Sequence, residues 1–203
     1  MPQPTFPRPA RILVLVSGGG TNLQALIDAE KAGLLGGAAD GKPRARIVAV
    51  VSDRTGAYAL ERARAAGLPA LVEARGPDLS DRLLARAREA GADLIVLAGF
   101  LSILKGDLVA AYAGRMINLH PALLPKFGGA GMHGDRVHAA VIAAGETESG
   151  CTVHLVDAGT DTGPILLQCR VPVLPGDTPE TLAHRIHEEE HIAIVEAIAA
   201  MLH

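Results

Sequence analysis

Two residues with complementary chemistry, Asn118 and His120, follow a short apolar run at residues 115–117. In a β-strand, residues two apart point the same way, so the amide and the imidazole would share one face. An amide N–H can stabilise negative charge on a carbonyl oxygen while an imidazole moves a proton. A carboxylate, Asp161, follows in a turn-forming cluster at 159–164. These three side chains predict a site for chemistry at a carbonyl carbon.

Each of the three also has an ordinary structural explanation. Asn118 could cap a turn, His120 could be a histidine held by hydrogen bonds, and Asp161 lies in common turn chemistry. Together they favour a catalytic role more than any one alone. A carboxylate beside an imidazole raises the imidazole pKa, so we expect Asp161 to keep His120 protonated near neutral pH.

A glycine-rich segment at residues 17–22, Ser-Gly-Gly-Gly-Thr-Asn, lies between an apolar run and a helical pattern. Backbone N–H groups in such a loop, with the helix N-terminus, can bind an anion such as a phosphate. The dinucleotide-binding pattern fails because Leu23 stands where its third glycine should be, and no Gly-Lys-Ser/Thr follows for a P-loop. The alternative is a tight turn that needs positive φ.

The elements that would position these residues alternate between short aliphatic runs and helical stretches. This alternation is typical of βαβ units on a parallel sheet, and continuous Val/Ile/Leu character indicates strands covered on both faces. We therefore predict an α/β, Rossmann-like single domain, with a mostly parallel twisted sheet flanked by helices. The predicted strands are 12–16, 47–52, 68–72 and 94–98, and the predicted helices are 23–32, 57–66 and 79–90.

The second half departs from this alternation. A loop at 126–134 and a helix at 139–144 precede two long strand-like runs, 151–156 and 165–174, which we expect to extend the sheet in antiparallel fashion. The last helix should open at Asp177 or Thr178, with Pro179 in its first turn and Glu180 completing a capping box, and run to Leu202. Residues 1–10 are predicted to be a disordered proline-rich lead, 11–203 one domain, and 36–43 a flexible loop.

Composition narrows the function classes. The 203 residues have a net charge of −3 and only 2% aromatic residues, which disfavours a nucleic-acid-binding surface. No run of about 18 apolar residues predicts a membrane span, and no signal-like segment opens the chain, so we expect a cytoplasmic protein. Cys151 and Cys169 are the two cysteines, and they form no disulfide framework or metal motif.

Three histidines of the last helix, His184, His187 and His191, share one face, and residues 187–191 match the zinc pattern H-E-x-x-H. A zinc protease would also need a third ligand and an adjacent edge strand. A solvated or ligand-contacting face is the favoured interpretation, and no metal is predicted. His133, His138 and His203 receive no role.

With these motifs in place, the chain resembles the glycinamide ribonucleotide formyltransferases, a folate-dependent family of purine biosynthesis. The resemblance extends from Arg11 to Leu202 and is carried by residues 12–23, 97–100, 118–126, 152–154 and 161–164. It implies formyl transfer from 10-formyltetrahydrofolate, as cosubstrate, to the amine of glycinamide ribonucleotide. Small-molecule substrates, no metal and a possible homodimer belong to the same expectation.

The resemblance also implies roles for individual residues. Asn118, His120 and Asp161 would be catalytic. Residues 11–100 would be the phosphate-binding half and 101–203 the folate-binding and catalytic half, with a cis bond between Leu124 and Pro125. The implied contacts with the phosphate and ribose are Gly20, Thr21, Asn22 and Glu190, and those with the folate are Leu101, Ser102, Ile103, Leu104, Val109, Asn118, Val156 and Asp157.

The chain departs from the family at three places. Ser102 stands where many members carry arginine, and Gly128 stands where proline is commoner. The family's arginine before the third helix has Arg75 as its nearest counterpart. The mechanistic hypothesis is that protonated His120 and Asn118 stabilise the oxyanion and His120 protonates the departing folate nitrogen. Asp161 would keep His120 charged and accept, through water, the proton of the amine.

Alternatives within the same superfamily are a methionyl-tRNA formyltransferase and a formyltetrahydrofolate hydrolase, which carry further domains that we do not expect here. Sugar-nucleotide formyltransferases lack this phosphate loop. A Rossmann-type nucleotide-binding oxidoreductase or regulatory module would explain the glycine loop but would leave Asn118, His120 and Asp161 unused.

Overall fold

The computed structural model describes residues 9–35 and 44–202. Among these residues, seven strands form one twisted sheet in the order β3-β2-β1-β4-β5-β6-β7. The five strands from β3 to β5 pair in parallel, while β6 and β7 are antiparallel. The strands are β1 (Ala10–Val16), β2 (Ala45–Ser52), β3 (Ala70–Val72), β4 (Leu94–Leu97), β5 (Met116–His120), β6 (Glu148–Leu155) and β7 (Ile165–Pro172).

Helices cover the sheet on both faces, which confirms the predicted fold class. Alternate side chains of β1 enter two separate cores: Ile12 and Val14 pack into one, and Leu13 and Leu15 into the other. All four are fully buried, as expected for a central parallel strand. The helices are α1 (Thr21–Lys31), α2 (Ala59–Ala65), α3 (Leu79–Glu89), α4 (Asp107–Ala111), α5 (Asp135–Ala143) and α6 (Pro179–Met201).

Some element boundaries differ from the prediction. Ala10, assigned to the disordered lead, is buried in β1, and α5 begins at Asp135, four residues before the predicted start. Residues 1–8 of the predicted lead and the predicted loop at 36–43 lie outside the described residues. The short helix α4 was not predicted.

The start of α6 corrects one detail. Thr178 is the N-cap, and its capping box is completed by Thr181 rather than by Glu180, because Pro179 and Glu180 occupy the first two helical positions. The Thr181 N–H donates to the Thr178 hydroxyl oxygen at 3.3 Å, and the Thr178 N–H donates back at 2.9 Å. Within the described ranges, no helix combines the length and apolar character that crossing a bilayer requires.

Candidate active site

The sheet reverses its strand order between β1 and β4, and ligands of open α/β sheets bind outside the carboxyl ends of the strands at such a point. A cleft of about 370 Å³ lies there, a size typical of small-molecule sites. It connects Asn22 of the glycine-rich segment with Asn118, His120 and Asp161. The cleft therefore extends from the predicted catalytic residues to the last residue of the glycine-rich segment.

His120 is nearly fully buried at the end of β5. Its Nε2–H donates to the Phe127 carbonyl oxygen at 2.8 Å, while its Nδ1 lies 3.5 Å from Asp161 Oδ2. Burial lowers the pKa of His120, and the Asp161 carboxylate, which raises it, does not compensate. The expected rise in the pKa of His120 is therefore wrong: the pKa lies below its ordinary value, which favours the neutral imidazole near pH 7.

Asn118 points its amide into the same cluster. Its Nδ2 donates to His154 Nε2 at 3.1 Å and to Asp161 Oδ1 at 3.3 Å. The His154 Nδ1–H donates to the Leu155 carbonyl oxygen at 2.9 Å, which leaves Nε2 free to accept from the amide. The longer bond, to Asp161, is the one that a substrate oxygen would most easily replace.

His154 is a site residue that we did not identify from the sequence as functional. It lies directly opposite Asn118 in the antiparallel pairing of β5 with β6, and both side chains face the cleft. Only the register of β6 brings it there. The available signal was its place in a predicted strand next to the Asn118 strand, but a neighbouring strand alone does not fix the register.

Asp161 is held as an ionised carboxylate. Burial alone would raise its pKa, but the neighbouring His154 and His120 rings and the Gly129 N–H hold the pKa of Asp161 below its ordinary value. The Gly129 N–H donates to Asp161 Oδ2 at 3.0 Å. The backbone of Asp161 has φ of 57°, a left-handed conformation that aspartate tolerates better than most residues.

The turn that carries Asp161 depends on a close backbone approach at Gly163. A Cβ at this position would lie 1.8 Å from the Leu155 carbonyl oxygen, so the turn or the end of β6 would have to move. We expect Gly163→Ala to destabilise the protein by about 1–3 kcal/mol and to lower activity by displacing Asp161. Urea unfolding and initial rates measure both effects.

Gly56→Ala is the matched control, because a Cβ at Gly56 meets no atom within 4 Å. It should leave stability and rate near those of the wild type. A Gly163→Ala protein as stable and as active as the Gly56→Ala protein would contradict this assignment.

The glycine-rich segment follows β1 and leads into α1. Gly20 has φ of 75°, and a Cβ there would lie 2.6 Å from the Cβ of Ala59, so Gly20 is explained by backbone geometry and packing. A Cβ on Gly18 or Gly19 would meet nothing within 4 Å. The tight-turn alternative therefore explains one of the three glycines, and the other two leave open space beside the N-terminus of α1.

Glu190 and Asn22 meet at this end of the cleft. Asn22 Nδ2 donates to Glu190 Oε2 at 3.1 Å, and His187 Nδ1 lies 2.7 Å from the same oxygen. That hydrogen bond raises the pKa of His187. Glu190 is only 3% exposed, so helix α6 contributes a buried carboxylate to the cleft wall. The predicted Asn22 and Glu190 are thus brought together, with Gly20 and Thr21 directly before Asn22.

The segment after β4 forms an apolar wall of the cleft. Leu101 and Ile103 are exposed, Leu104 is buried, and Val156 lines the cleft from the end of β6. Ser102 also lines it.

Two further predicted folate contacts lie outside the cleft lining. Val109 packs into the core beneath the wall. Asp157 Oδ1 accepts hydrogen bonds from the Gly159 N–H and the Thr162 hydroxyl.

Two of the three departures from the family pattern, Ser102 and Arg75, meet at a buried carboxylate, Asp53. The Ser102 hydroxyl donates to Asp53 Oδ2 at 2.6 Å, and Arg75 Nε donates to the same oxygen at 2.7 Å. Burial opposes ionisation, but these donors hold the pKa of Asp53 below its ordinary value. Ser102 therefore anchors the apolar wall to the end of β2. The Leu124–Pro125 bond is cis, as predicted.

The histidines of α6 do not gather around a common point. His187 pairs with Glu190, and His184, whose side chain is 82% exposed, lies 3.8 Å from Glu188. Across residues 9–35 and 44–202, no group of three or more His, Cys, Asp or Glu side chains is arranged to hold a metal ion.

Taken together, the fold and the site define a class. A Rossmann-like sheet presents an amide donor, an imidazole and a carboxylate to one cleft, a geometry suited to acyl transfer. Comparison with known proteins agrees: the Formyl transferase family model matches residues 10–198. The chain belongs to this family, and to the phosphoribosylglycinamide formyltransferases within it.

Two relatives of similar length support the assignment to the phosphoribosylglycinamide formyltransferases. The Escherichia coli (strain K12) phosphoribosylglycinamide formyltransferase is 40% identical over 89% of this chain and 81% of its own. Glycinamide ribonucleotide transformylase 1 from Symbiobacterium toebii superposes with a TM-score of 0.84 at 42% identity, covering 94% of this chain and 86% of its own. The Drosophila pseudoobscura pseudoobscura trifunctional purine biosynthetic protein adenosine-3 is 46% identical over 94% of this chain, which spans only 14% of that relative.

Proposed function

We propose that this chain transfers the formyl group of 10-formyltetrahydrofolate to the amine of glycinamide ribonucleotide. The products are formylglycinamide ribonucleotide and tetrahydrofolate, a step of purine biosynthesis. The observation that carries the proposal is the cluster itself: Asp161 lies within 3.5 Å of both the Asn118 amide and the His120 ring, in a cleft that reaches Asn22. Both substrates are small molecules, and formyl-folate is a cosubstrate rather than a resident cofactor.

In this proposal the reaction begins with neutral His120. The substrate amine attacks the formyl carbon, and the carbonyl electrons move to oxygen, where the Asn118 N–H stabilises the oxyanion. His120 takes a proton from the attacking nitrogen and delivers it to the departing folate nitrogen as the old C–N bond breaks. Asp161 stabilises the imidazolium that exists between these two transfers. No net charge or proton is left on the protein.

The remaining site residues would bind different parts of the two substrates. The glycine-rich segment offers backbone N–H groups for the substrate phosphate, and Glu190 offers a carboxylate for ribose hydroxyls. The apolar wall of Leu101, Ile103, Leu104 and Val156 would cover the pterin ring. Val109, which packs beneath this wall, and Asp157, which lies in the turn after Val156, belong to the same proposed folate site.

The direct test is a formyl-transfer assay with both substrates. Tetrahydrofolate should form from the formyl donor only when glycinamide ribonucleotide is present. Release of formate without the ribonucleotide would instead support a hydrolase, and tight binding of NAD(P) without any formyl transfer would support a nucleotide-binding protein. Either result would overturn the proposal.

A substitution at Glu190 tests substrate binding separately from chemistry. Glu190→Gln removes the charge that accepts from Asn22 and His187, and a hydrogen bond to a charged group contributes about 1.5–3 kcal/mol. We expect KM for glycinamide ribonucleotide to rise about tenfold or more, with little change in KM for the formyl donor. The exposed Glu188→Gln is the control; equal KM values in the two variants would contradict the assignment.

A cytoplasmic location and a homodimer remain predictions from the sequence and the family resemblance. Analytical ultracentrifugation at several protein concentrations would test the dimer.

A further inference from the structure

His138 received no role from the sequence, yet it is buried in the wall of the cleft. It lies in α5, is 2% exposed and lines the cleft together with Asn22, His187 and Glu190. Its Nδ1 is buried and has no hydrogen-bond partner among the described residues. A buried polar atom without a partner destabilises a protein, so such an atom in a ligand cleft points to a hydrogen-bonding group of the ligand.

A second unpartnered atom belongs to the same end of the cleft. Asn22 Oδ1 is also buried without a partner, although the Nδ2 of the same amide donates to Glu190. The His138 and His187 rings meet edge to face with centroids 6.4 Å apart, and His187 is bonded to Glu190. Helices α1, α5 and α6 thus each contribute a polar group to one small region.

The hydrogen-bonding capacity of Asn22, Glu190 and His138 indicates which kind of ligand group fits here. Asn22 Oδ1 and the Glu190 carboxylate accept hydrogen bonds, so they require a donor. Glu190 and Asp135 are the acidic groups near His138, while His187 and His120 are its basic neighbours. An anion beside the Glu190 carboxylate would be repelled, whereas a hydroxyl both donates and accepts.

Burial lowers the pKa of His138, so this imidazole is neutral and has one donor and one acceptor nitrogen. A hydroxyl satisfies Nδ1 in either tautomer. A phosphate fits less well here and is better placed at the glycine-rich segment. The unpartnered atoms therefore match a pair of neighbouring hydroxyls.

We infer that His138 is a substrate-binding residue whose Nδ1, together with Asn22 Oδ1 and Glu190, binds the ribose hydroxyls of the substrate. This inference rests on the proposed function, since the ribose belongs to glycinamide ribonucleotide. It adds a residue of α5 to the site, beside those of α1 and α6.

The test compares glycinamide ribonucleotide with its 2′-deoxy and 3′-deoxy analogues by titration calorimetry. The wild type should bind at least one analogue about two- to tenfold more weakly than the ribonucleotide. His138→Phe should weaken ribonucleotide binding by a similar factor and lose that discrimination. His184→Phe, at an exposed position of α6, is the matched control and should keep the wild-type discrimination.

The outcomes separate this inference from the proposal on which it rests. Unchanged discrimination in His138→Phe would overturn the role of His138 alone. A wild-type protein that does not bind the ribonucleotide would overturn the proposed function and this inference with it.

If His138→Phe does not fold, two measurements replace it. His138→Asn keeps a polar atom near the Nδ1 position and should retain part of the discrimination. If this substitution leaves the affinities for the ribonucleotide and both analogues unchanged, the result would count against the inference. In the wild type, the ¹⁵N signal of His138 Nδ1 should shift when the ribonucleotide binds, and a signal that does not move would overturn the assignment.

Discussion

Asn118→Ala and His120→Ala are expected to lose most turnover while the fold stays intact. Loss of one oxyanion donor lowers kcat about 10²- to 10³-fold, and loss of a general acid–base group lowers it about 10²- to 10⁴-fold. Neither side chain contributes to the apolar cores, so unfolding midpoints should change little. Single-turnover rates and denaturant unfolding provide the two measurements.

His184→Ala serves as the control for an imidazole outside the cleft, since its side chain is 82% exposed. It should retain wild-type turnover. Full activity in a well-folded His120→Ala protein would remove the imidazole from the mechanism, and full activity in Asn118→Ala would remove the amide.

Asp161→Asn should change both the rate and its pH dependence. Asp161 raises the pKa of His120 against the larger lowering effect of burial, so removing the carboxylate charge lets this pKa fall further. Activity requires neutral His120 in the free enzyme and is lost as pH falls through its pKa. The acidic limb of kcat/KM should therefore move to lower pH in the variant, and kcat should drop by roughly 10²-fold because the imidazolium is no longer stabilised.

The comparison needs kcat/KM across the mildly acidic range for the wild type and Asp161→Asn. Asn keeps an acceptor oxygen for the Gly129 N–H, so the turn should persist. Asp81→Asn, which alters an exposed carboxylate of α3 away from the cleft, is the control. An acidic limb that stays in place, or moves to higher pH, would contradict the role given to Asp161.

The features that could be predicted are those that the residue pattern within a single strand or turn determines. The shared face of Asn118 and His120 follows from the two-residue repeat of a strand, and the buried character of β1 follows from its continuous aliphatic run. The turn from β1 into α1 was recognisable because glycine, serine and threonine follow that run directly.

The features that escaped prediction depend on contacts distant in sequence. His154 joins the site only through the register of β6 against β5, and His138 only through the packing of α5 on α6. The neutral state of His120 depends on how deeply the folded chain buries it, which a neighbouring carboxylate in the sequence does not reveal. Burial outweighs the attraction of Asp161, and the expected sign was therefore wrong.

The 126–134 loop has a consequence for how the cleft accepts its ligands. The Phe127 carbonyl and the Gly129 N–H, two residues apart on one backbone, are bonded to His120 and Asp161 respectively. A displacement of this short stretch would break both bonds together. The hydrogen bonding of the imidazole and of the carboxylate would then change in a single event, so the position of this loop affects both groups together.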